Sequence, residues 1–378
     1  MQTSHTQLHI RHAGQQAFIV AIPAGQGSHH SISDLFVQVA DVLIHQGMTI
    51  VHERLFGSLS QQESIMAMRQ AAFEARGIST TNPITFIEGL SPWDQALAGV
   101  IVRAVHCSQE RDKAWTLYDR NRAVGIRWET QGCGGLILQN VQAEIHTKDP
   151  SAYVENQINK ARQLLILEGL SYDHVVRTWF YLSDILDWYG PFNDIRNRTY
   201  DTFGLMPKDG AEHLLLPAST GIGAVNPQGS PAALDLVAVY GEESNHPQVR
   251  QLTNPGQEDA HLYGSAFSRG AVVQQQDFTW MEISGTAAID EQGRSLYRDD
   301  IRAQITCTLD KLEILLAQEG ANLNNICTAS VFLKRPHYAQ DFLDIIADRG
   351  LDGFPGICVV ADVCRDELLF EIDAEAVL

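Results

Sequence analysis

Residues 326–333 have the sequence ICTASVFL, which predicts a buried β-strand between two helices. A helix precedes it, because apolar side chains recur at helical spacing over 301–316 and a Glu-Gly pair then ends the pattern. A second helix is expected over 339–348. A Pro-Gly turn then leads into ICVVADVC and ELLFEIDAEA, which we expect to form a strand pair, like AVVQQQ and WMEISGTAAI ahead of the first helix.

The same order of elements occurs once before, between residues 153 and 240. A helical stripe over 154–165 ends at another Glu-Gly pair, and VVRTWFYL at 175–182 predicts the strand. A second helix over about 189–203, a loop with the sequence LPASTGIGAV and a closing strand ALDLVAVY follow. These shared landmarks indicate an internal repeat.

Strands paired with helices in this order predict an α+β fold in which each repeat has a mixed sheet covered on one face by two helices. We place the first repeat at 151–243, a polar linker at 244–260 and the second repeat at 261–378. Residues 1–150 form an N-terminal region, and the sequence leaves open whether it is a degenerate third copy. A length of 378 residues fits two or three domains.

The charge balance narrows the possible partners. The chain has 27 Lys and Arg against 46 Asp and Glu, a net charge of −19. Such a surface repels phosphate backbones, which argues against nucleic-acid binding. No apolar run is long enough to span a membrane, and no export signal is visible, so we expect a cytoplasmic protein. If the substrate is an anion, arginines inside a pocket must oppose the overall charge.

Cysteine and histidine spacing gives no sign of a metal site. The six cysteines include no Cys-x-x-Cys pair, and no cluster of Cys and His has zinc spacing. We therefore expect reduced thiols, no metal and no other cofactor.

Several longer motifs resemble known families. SGT at 284–286, EGANL at 319–323 and EIDA at 371–374 resemble the YjgF/RidA-like superfamily. RNRTYDTFG at 196–204, followed by LPASTGIG, and VCRDELLFEIDA near the C-terminus look like the chorismatases. The resemblance runs from about residue 153 to the end. It implies tandem RidA-like units and an enzyme that cleaves chorismate to pyruvate and a ring product without a cofactor.

By this resemblance the key acid is Glu371. Its neighbours Phe370 and Ile372 are apolar and alternate with it along the predicted strand. A carboxylic acid with apolar walls keeps its proton more readily, which suits a general acid near neutral pH. The alternative is that the acidic face of this strand simply meets solvent.

Chorismate carries two carboxylates, each of which suits a bidentate arginine. The candidates are Arg177, within a strand that also contains aromatic residues, Arg198 and Arg335. The small residues Ser219, Thr220 and Gly221 would let backbone N–H groups approach an anion, and Tyr200 would support them. A tight turn without a ligand is the alternative for this segment.

The resemblance also implies that Ala287 and Cys364 determine the product. Cysteine at 364 resembles the hydroxybenzoate-forming types, whereas Ala287 leaves 3- and 4-hydroxybenzoate open. Three alternatives remain: a dihydrodiol-forming chorismate hydrolase, a RidA-like imine or enamine deaminase, and a non-catalytic sensor of small acids. The deaminases carry arginine in a Pro-Ala-Arg-Ser turn, which Pro217-Ala218-Ser219 and Pro355-Gly356-Ile357 lack. Because RidA-like units assemble in threes, we expect a monomer or an internal pseudo-trimer.

Overall fold

Three mixed β-sheets, each with two helices, make up the α+β fold of this chain. The structure is a computed structural model and describes residues 6–23, 29–107, 109–110, 112–131, 133–145, 147–206, 216–242, 245–253, 264–275 and 278–378. Much of the linker expected at 244–260 lies outside these residues. None of the described helices is long and apolar enough to cross a membrane.

The first unit is built from the N-terminal region. Its elements are β1 (Gln7–Ala13), β2 (Gln16–Ile22), α1 (His29–His45), β3 (Met48–Gly57), α2 (Gln62–Glu74), β4 (Thr85–Glu88) and β5 (Leu97–His106). The strands form a five-stranded sheet in the order β1-β2-β5-β3-β4. The N-terminal region, which the sequence left open, is therefore a third unit with a mixed sheet and two helices.

The middle and third units repeat this order and add one strand at the start. The middle unit contains β6 (Lys113–Asp119), β7 (Arg122–Thr130), β8 (Cys133–Val141), α3 (Pro150–Leu167), β9 (Val175–Leu182), α4 (Ile185–Thr202), β10 (Ala218–Gly223) and β11 (Ala232–Gly241). The third contains β12 (Gln248–Leu252), β13 (Gly270–Gln274), β14 (Thr279–Ala287), α5 (Ile301–Ala317), β15 (Ile326–Leu333), α6 (Tyr338–Asp348), β16 (Gly356–Val360) and β17 (Phe370–Val377). Their six-stranded sheets have the orders β10-β9-β11-β8-β7-β6 and β12-β13-β14-β17-β15-β16.

The structure differs from the sequence interpretation in three ways: in one strand pairing, in one additional strand and in where two units begin. β16 and β17 do not pair with each other; both flank β15, because β16 follows the crossover helix α6 and runs parallel to β15, whereas β17 is antiparallel. The segment expected as a loop at 216–225 contains β10, a parallel edge strand on β9. The middle sheet begins at Lys113 and the third at Gln248, whereas the sequence interpretation began these units at 151 and 261.

The three units meet in a cycle. Strand β10 of the middle unit contacts β14 of the third, β16 of the third contacts β2 and β5 of the first, and β4 of the first contacts β8 of the middle unit. The inner faces of all three sheets share one apolar core. Each sheet's helices cover a separate core on its outer face. The cycle therefore creates three equivalent clefts between units.

Candidate active site

Glu371 lies at the cleft between the middle and third units. It is on β17, between Ala287 of β14 and Phe332 of β15, and only 5% of its surface is exposed. Burial raises the pKa of its carboxyl, the negative charge of Asp373 adds to this increase and Arg177 opposes it, and the resulting pKa is about 8. Glu371 is therefore a carboxylic acid that holds its proton at neutral pH.

A cluster of buried, hydrogen-bonded polar residues lies beside this acid. Arg177 donates to Thr220 Oγ1 at 2.7 Å, and Thr220 donates to Asp373 Oδ2 at 2.9 Å. The Arg177 guanidinium also pairs with Asp373 at 3.3 Å. The backbone N–H of Gly285 donates to Thr220 Oγ1 at 3.1 Å. These contacts fix the Asp373 side chain two residues from Glu371 on the same face of β17.

Glu371 faces a cavity formed by both units. The cavity leaves about 40 Å³ of free volume, so a ring-sized ligand requires side chains at its rim to move. Its walls combine the acid with aromatic side chains, small residues and three arginines. They comprise Tyr189, Arg196, Ser219, Gly221, Ser265, Phe267, Arg269, Gly285, Ala287, Ile289, Cys364, Arg365 and Glu371.

Arg196 is the best defined of the three arginines. It projects from α4 and is 1% exposed. Its guanidinium donates to Asn193 Oδ1 at 2.7 Å and to Ser219 Oγ at 3.3 Å, and it stacks between Phe192 and Phe267. No carboxylate of the described residues forms an ion pair with it. A buried, preoriented cation of this kind is suited to bind a carboxylate.

Two further arginines come from the third unit. Arg269 is buried and lies over Phe267, with 5.6 Å between the guanidinium carbon and the ring centre. Arg365 is half-buried and donates to the carbonyl of Gly293. Together with Arg196 they give this cavity a local positive charge in a chain of net charge −19.

Some of the predicted site residues line this cavity with Glu371. Ser219, Gly221, Ala287 and Cys364 do so. Burial, together with the Glu371 charge, raises the pKa of the Cys364 thiol to about 12, so this cysteine is an uncharged wall. Thr220 alternates with its neighbours on β10 and faces the Arg177 side instead.

The other predicted residues lie outside the cavity walls. Arg177 is buried and paired with Asp373, as described above. Arg198 is 60% exposed and pairs with Glu155, and Arg335 is exposed at the turn after β15. Tyr200 is buried against Tyr172, with 3.3 Å between their hydroxyl oxygens. The arginines that line the cavity are Arg196, Arg269 and Arg365.

Helical spacing could have identified Arg196. Phe192, Arg196 and Tyr200 recur every four residues and share the buried face of α4, whereas Arg198 lies on the other side. Arg269 and Arg365 had no such signal, because both precede or follow strands and are brought to the cavity only by the packing of two units. Among the described residues, no group of three or more His, Cys, Asp and Glu could hold a metal ion.

The third unit matches a known protein family. Residues 265–378 match the model of the family called Endoribonuclease L-PSP. Small proteins superpose on about a third of the chain. A YjgF/YER057c/UK114 family member from Mycobacterium tuberculosis is 22% identical, covers 35% of this chain and 100% of its own, and has a TM-score of 0.28. Yeast Mmf1 is 16% identical, with 34% and 98% coverage and a TM-score of 0.29.

The whole chain is similar in fold to a chorismatase. That crystal structure superposes with a TM-score of 0.62 at 19% identity, covering 87% of this chain and 93% of the chorismatase. No curated protein matches the sequence at a significant level. The expected α+β architecture of tandem units, each with a mixed sheet and two helices, is confirmed.

Proposed function

We propose that this protein is a chorismatase that converts chorismate to pyruvate and a hydroxybenzoate. The observation that carries the proposal is that one cavity is lined both by the buried, protonated Glu371 and by Arg196, Arg269 and Arg365. An enolpyruvyl ether needs a proton donor, and a dianion needs cations. The fold similarity to a chorismatase supports the same assignment.

In the proposed reaction Glu371 transfers its proton to the terminal methylene of the enolpyruvyl group. The ether carbon becomes an oxocarbenium centre, to which water adds, and the proton that this water loses returns to Glu371. The resulting hemiketal breaks its bond to the ring oxygen and releases pyruvate and a ring diol. Loss of one water from the diol makes the ring aromatic and gives hydroxybenzoate, so no water is consumed overall. Arg196 and its two neighbours hold the carboxylates and stabilise the substrate's orientation.

The product rests on the walls of the cavity. Ala287 and Cys364 are small and uncharged and lie beside Glu371, so they shape the space next to the reacting ether. This favours a hydroxybenzoate, with the 3- and 4-isomers both open. The dihydrodiol is the second candidate within the same chemistry. We place the reaction in the cytoplasm, in a monomer whose three units replace a trimer.

Imine deamination is less well supported. The Pro-Ala-Arg-Ser arginine is absent where β10 and β16 begin, at Ala218-Ser219 and Gly356-Ile357. A sensor would not need an acid that keeps its proton at neutral pH.

The decisive experiment is incubation of the purified protein with chorismate, with pyruvate and ring products quantified together. Glu371→Gln should lower the rate of pyruvate release by at least about a thousandfold, as expected for loss of a general acid. Glu367→Gln is the matched control, because Glu367 is near in sequence but pairs with Arg298 at the surface. Absence of pyruvate from the folded wild-type protein would reject the proposal.

A further inference from the structure

The cleft between the third and first units is equivalent to the candidate active site but has different chemistry. Strand pairing gives the equivalence directly: β16 pairs with β15 as β10 pairs with β9, and β2 pairs with β5 as β14 pairs with β17. Gly356 and Cys358 therefore correspond to Ser219 and Gly221, and Ile22 corresponds to Ala287. All three line a cavity in this second cleft.

The two catalytic features are replaced there. Arg196 and Phe342 occupy the same position relative to Gly204 and Gly350, the positive-φ glycines that follow α4 and α6. The position of Glu371 corresponds to Gly99 on β5. A side chain at Gly99 would start 2.7 Å from Ile357 Cδ1, so the space of the acid is already filled. This cleft has neither the acid nor the cation.

In the third cleft, between the first and middle units, the equivalent arginine is already paired. It is Arg69, which makes a bidentate ion pair with the buried Glu53 at 2.7 and 2.6 Å. Arg69 also lies over Phe73, 4.3 Å from the ring centre. Of the three equivalent clefts, one therefore holds an acid with cations, one holds its arginine in an ion pair, and one is open and has neither the acid nor the arginine.

The open cleft has the size and walls of a ligand site. Its cavity measures about 330 Å³, at the lower end of the range for small-molecule pockets. The Phe342 and Phe354 rings form a corner, with centroids 6.0 Å apart and planes at 77°. Ile346 and Ile22 add aliphatic walls.

Charge limits the ligand that this cavity accepts. Among the described residues that line it, none is Lys or Arg, and the only charged one is Asp352. A dicarboxylate would lose hydration without gaining a cation and would face the Asp352 charge as well. An uncharged ring compound loses little hydration and gains contact with two phenylalanine rings.

From these observations we propose that the cleft between the third and first units is a second binding site, which takes one uncharged aromatic molecule. The site is built by Phe342, Ile346, Phe354, Ile22 and Cys358. It is separate from the candidate active site and does not depend on the proposed function, because Glu371 takes no part in it.

The probe is 4-bromophenol, which is uncharged at pH 7 and carries an anomalous scatterer. Crystals of the full chain soaked with it should show a bromine peak between Phe342 and Ile22, and titration calorimetry should show saturable binding. The dianion 4-bromophthalate should give no peak there. Glu371→Gln should bind 4-bromophenol in this cleft with unchanged affinity.

Ala347→Trp tests the location, because Ala347 is exposed at the rim and a larger side chain would block the cavity. We expect at least a tenfold loss of affinity. Asp348→Trp, on the next exposed residue of α6, should bind within twofold of the wild type. Leu343→Trp, also exposed at the rim, serves as a second blocking variant if Ala347→Trp melts early. The proposal would be overturned by the absence of a bromine peak in the cleft at saturating probe, by wild-type affinity in both blocking variants, or by equal occupancy with the dianion.

Discussion

Glu371 and Asp373 lie on the same face of β17, two residues apart and both buried. Asp373 pairs with Arg177 and accepts a hydrogen bond from the Thr220 hydroxyl, whereas the Glu371 pKa of about 8 keeps that carboxyl protonated. The fixed negative charge of Asp373 discourages a second charge next to it. One carboxylate thus helps to make its neighbour an acid, a relationship that the proposed chemistry requires.

The pH dependence of activity follows from this pair. A general acid works only while protonated, so kcat/KM should fall as the pH rises through about 8, the pKa of Glu371. Asp373→Asn removes the neighbouring charge while keeping the shape of the side chain, and should therefore lower the Glu371 pKa. The descending limb of the pH profile should then move to lower pH.

The measurement is a pH–rate profile of both proteins, together with infrared titration of the carboxyl in the absence of substrate. A thermal melt establishes that Asp373→Asn is folded. An unchanged limb in a folded variant would mean that Asp373 does not influence Glu371.

The folding stability of the protein should also depend on pH because of the raised Glu371 pKa. A glutamate in the unfolded chain has a pKa of about 4.3, whereas in the folded protein the pKa of Glu371 is about 8. Between these values the folded state binds the proton that the unfolded state has lost, so folding stability falls as the pH rises. The full effect is on the order of 5 kcal/mol, since one pKa unit corresponds to about 1.4 kcal/mol.

Glu371→Gln has no proton to lose and should escape this decline. Its free energy of unfolding, relative to the wild type, should increase between about pH 5 and pH 8 and then level off. Denaturant unfolding at several pH values measures this difference. A difference that stays constant over the whole range would show that Glu371 ionises normally in the folded protein.

The sequence predicted most helices and strands of the middle and third units, because the regular spacing of apolar residues is a local signal. The stripe over α5 and the strand ICTASVFL need no knowledge of the rest of the chain. β10 was missed because its Gly-Ile-Gly segment resembles a turn, and only its pairing with β9 makes it a strand. The extent of the middle unit was missed because β6 to β8 precede its first helix and carry no repeat landmark.

The site could be predicted only in part for the same reason. Glu371 and Cys364 lie in one continuous motif, and both line the cavity. The arginines come from three separate segments that meet between two units. Arg177 attracted attention because a charge among strand aromatics needs a partner, and its partner proved to be Asp373, inside the protein.

Arg196 and Arg198 offer a matched pair, two residues apart on the same helix. Arg196 is buried in the cavity wall, and Arg198 is 60% exposed and pairs with Glu155. Removing a charge-assisted carboxylate contact costs about 1.5–3 kcal/mol, which is about 10- to 100-fold in binding. Arg196→Met should therefore raise KM by about that factor, whereas Arg198→Met should leave KM within twofold.

Steady-state kinetics with chorismate, at matched melting temperatures, compare the two variants. Equal effects at both positions would argue that Arg196 does not touch the substrate.

Gly285 controls where the acid can be. It is on β14 opposite β17, and a Cβ at this position would lie 2.2 Å from Glu371 Oε1 and 3.3 Å from Thr220 Cγ2. Gly285→Ala must therefore push the carboxyl out of place, and we expect kcat to fall about a hundredfold, because misplacement by about 1 Å has that effect.

Gly190→Ala, on α4, is the control, since a Cβ there has nothing within 4 Å. It should keep full activity, and its melting temperature should stay close to that of the wild type because the added Cβ contacts nothing. The two variants are compared by single-turnover rates and by thermal unfolding, and a fully active Gly285→Ala protein would show that the position of Glu371 is not critical.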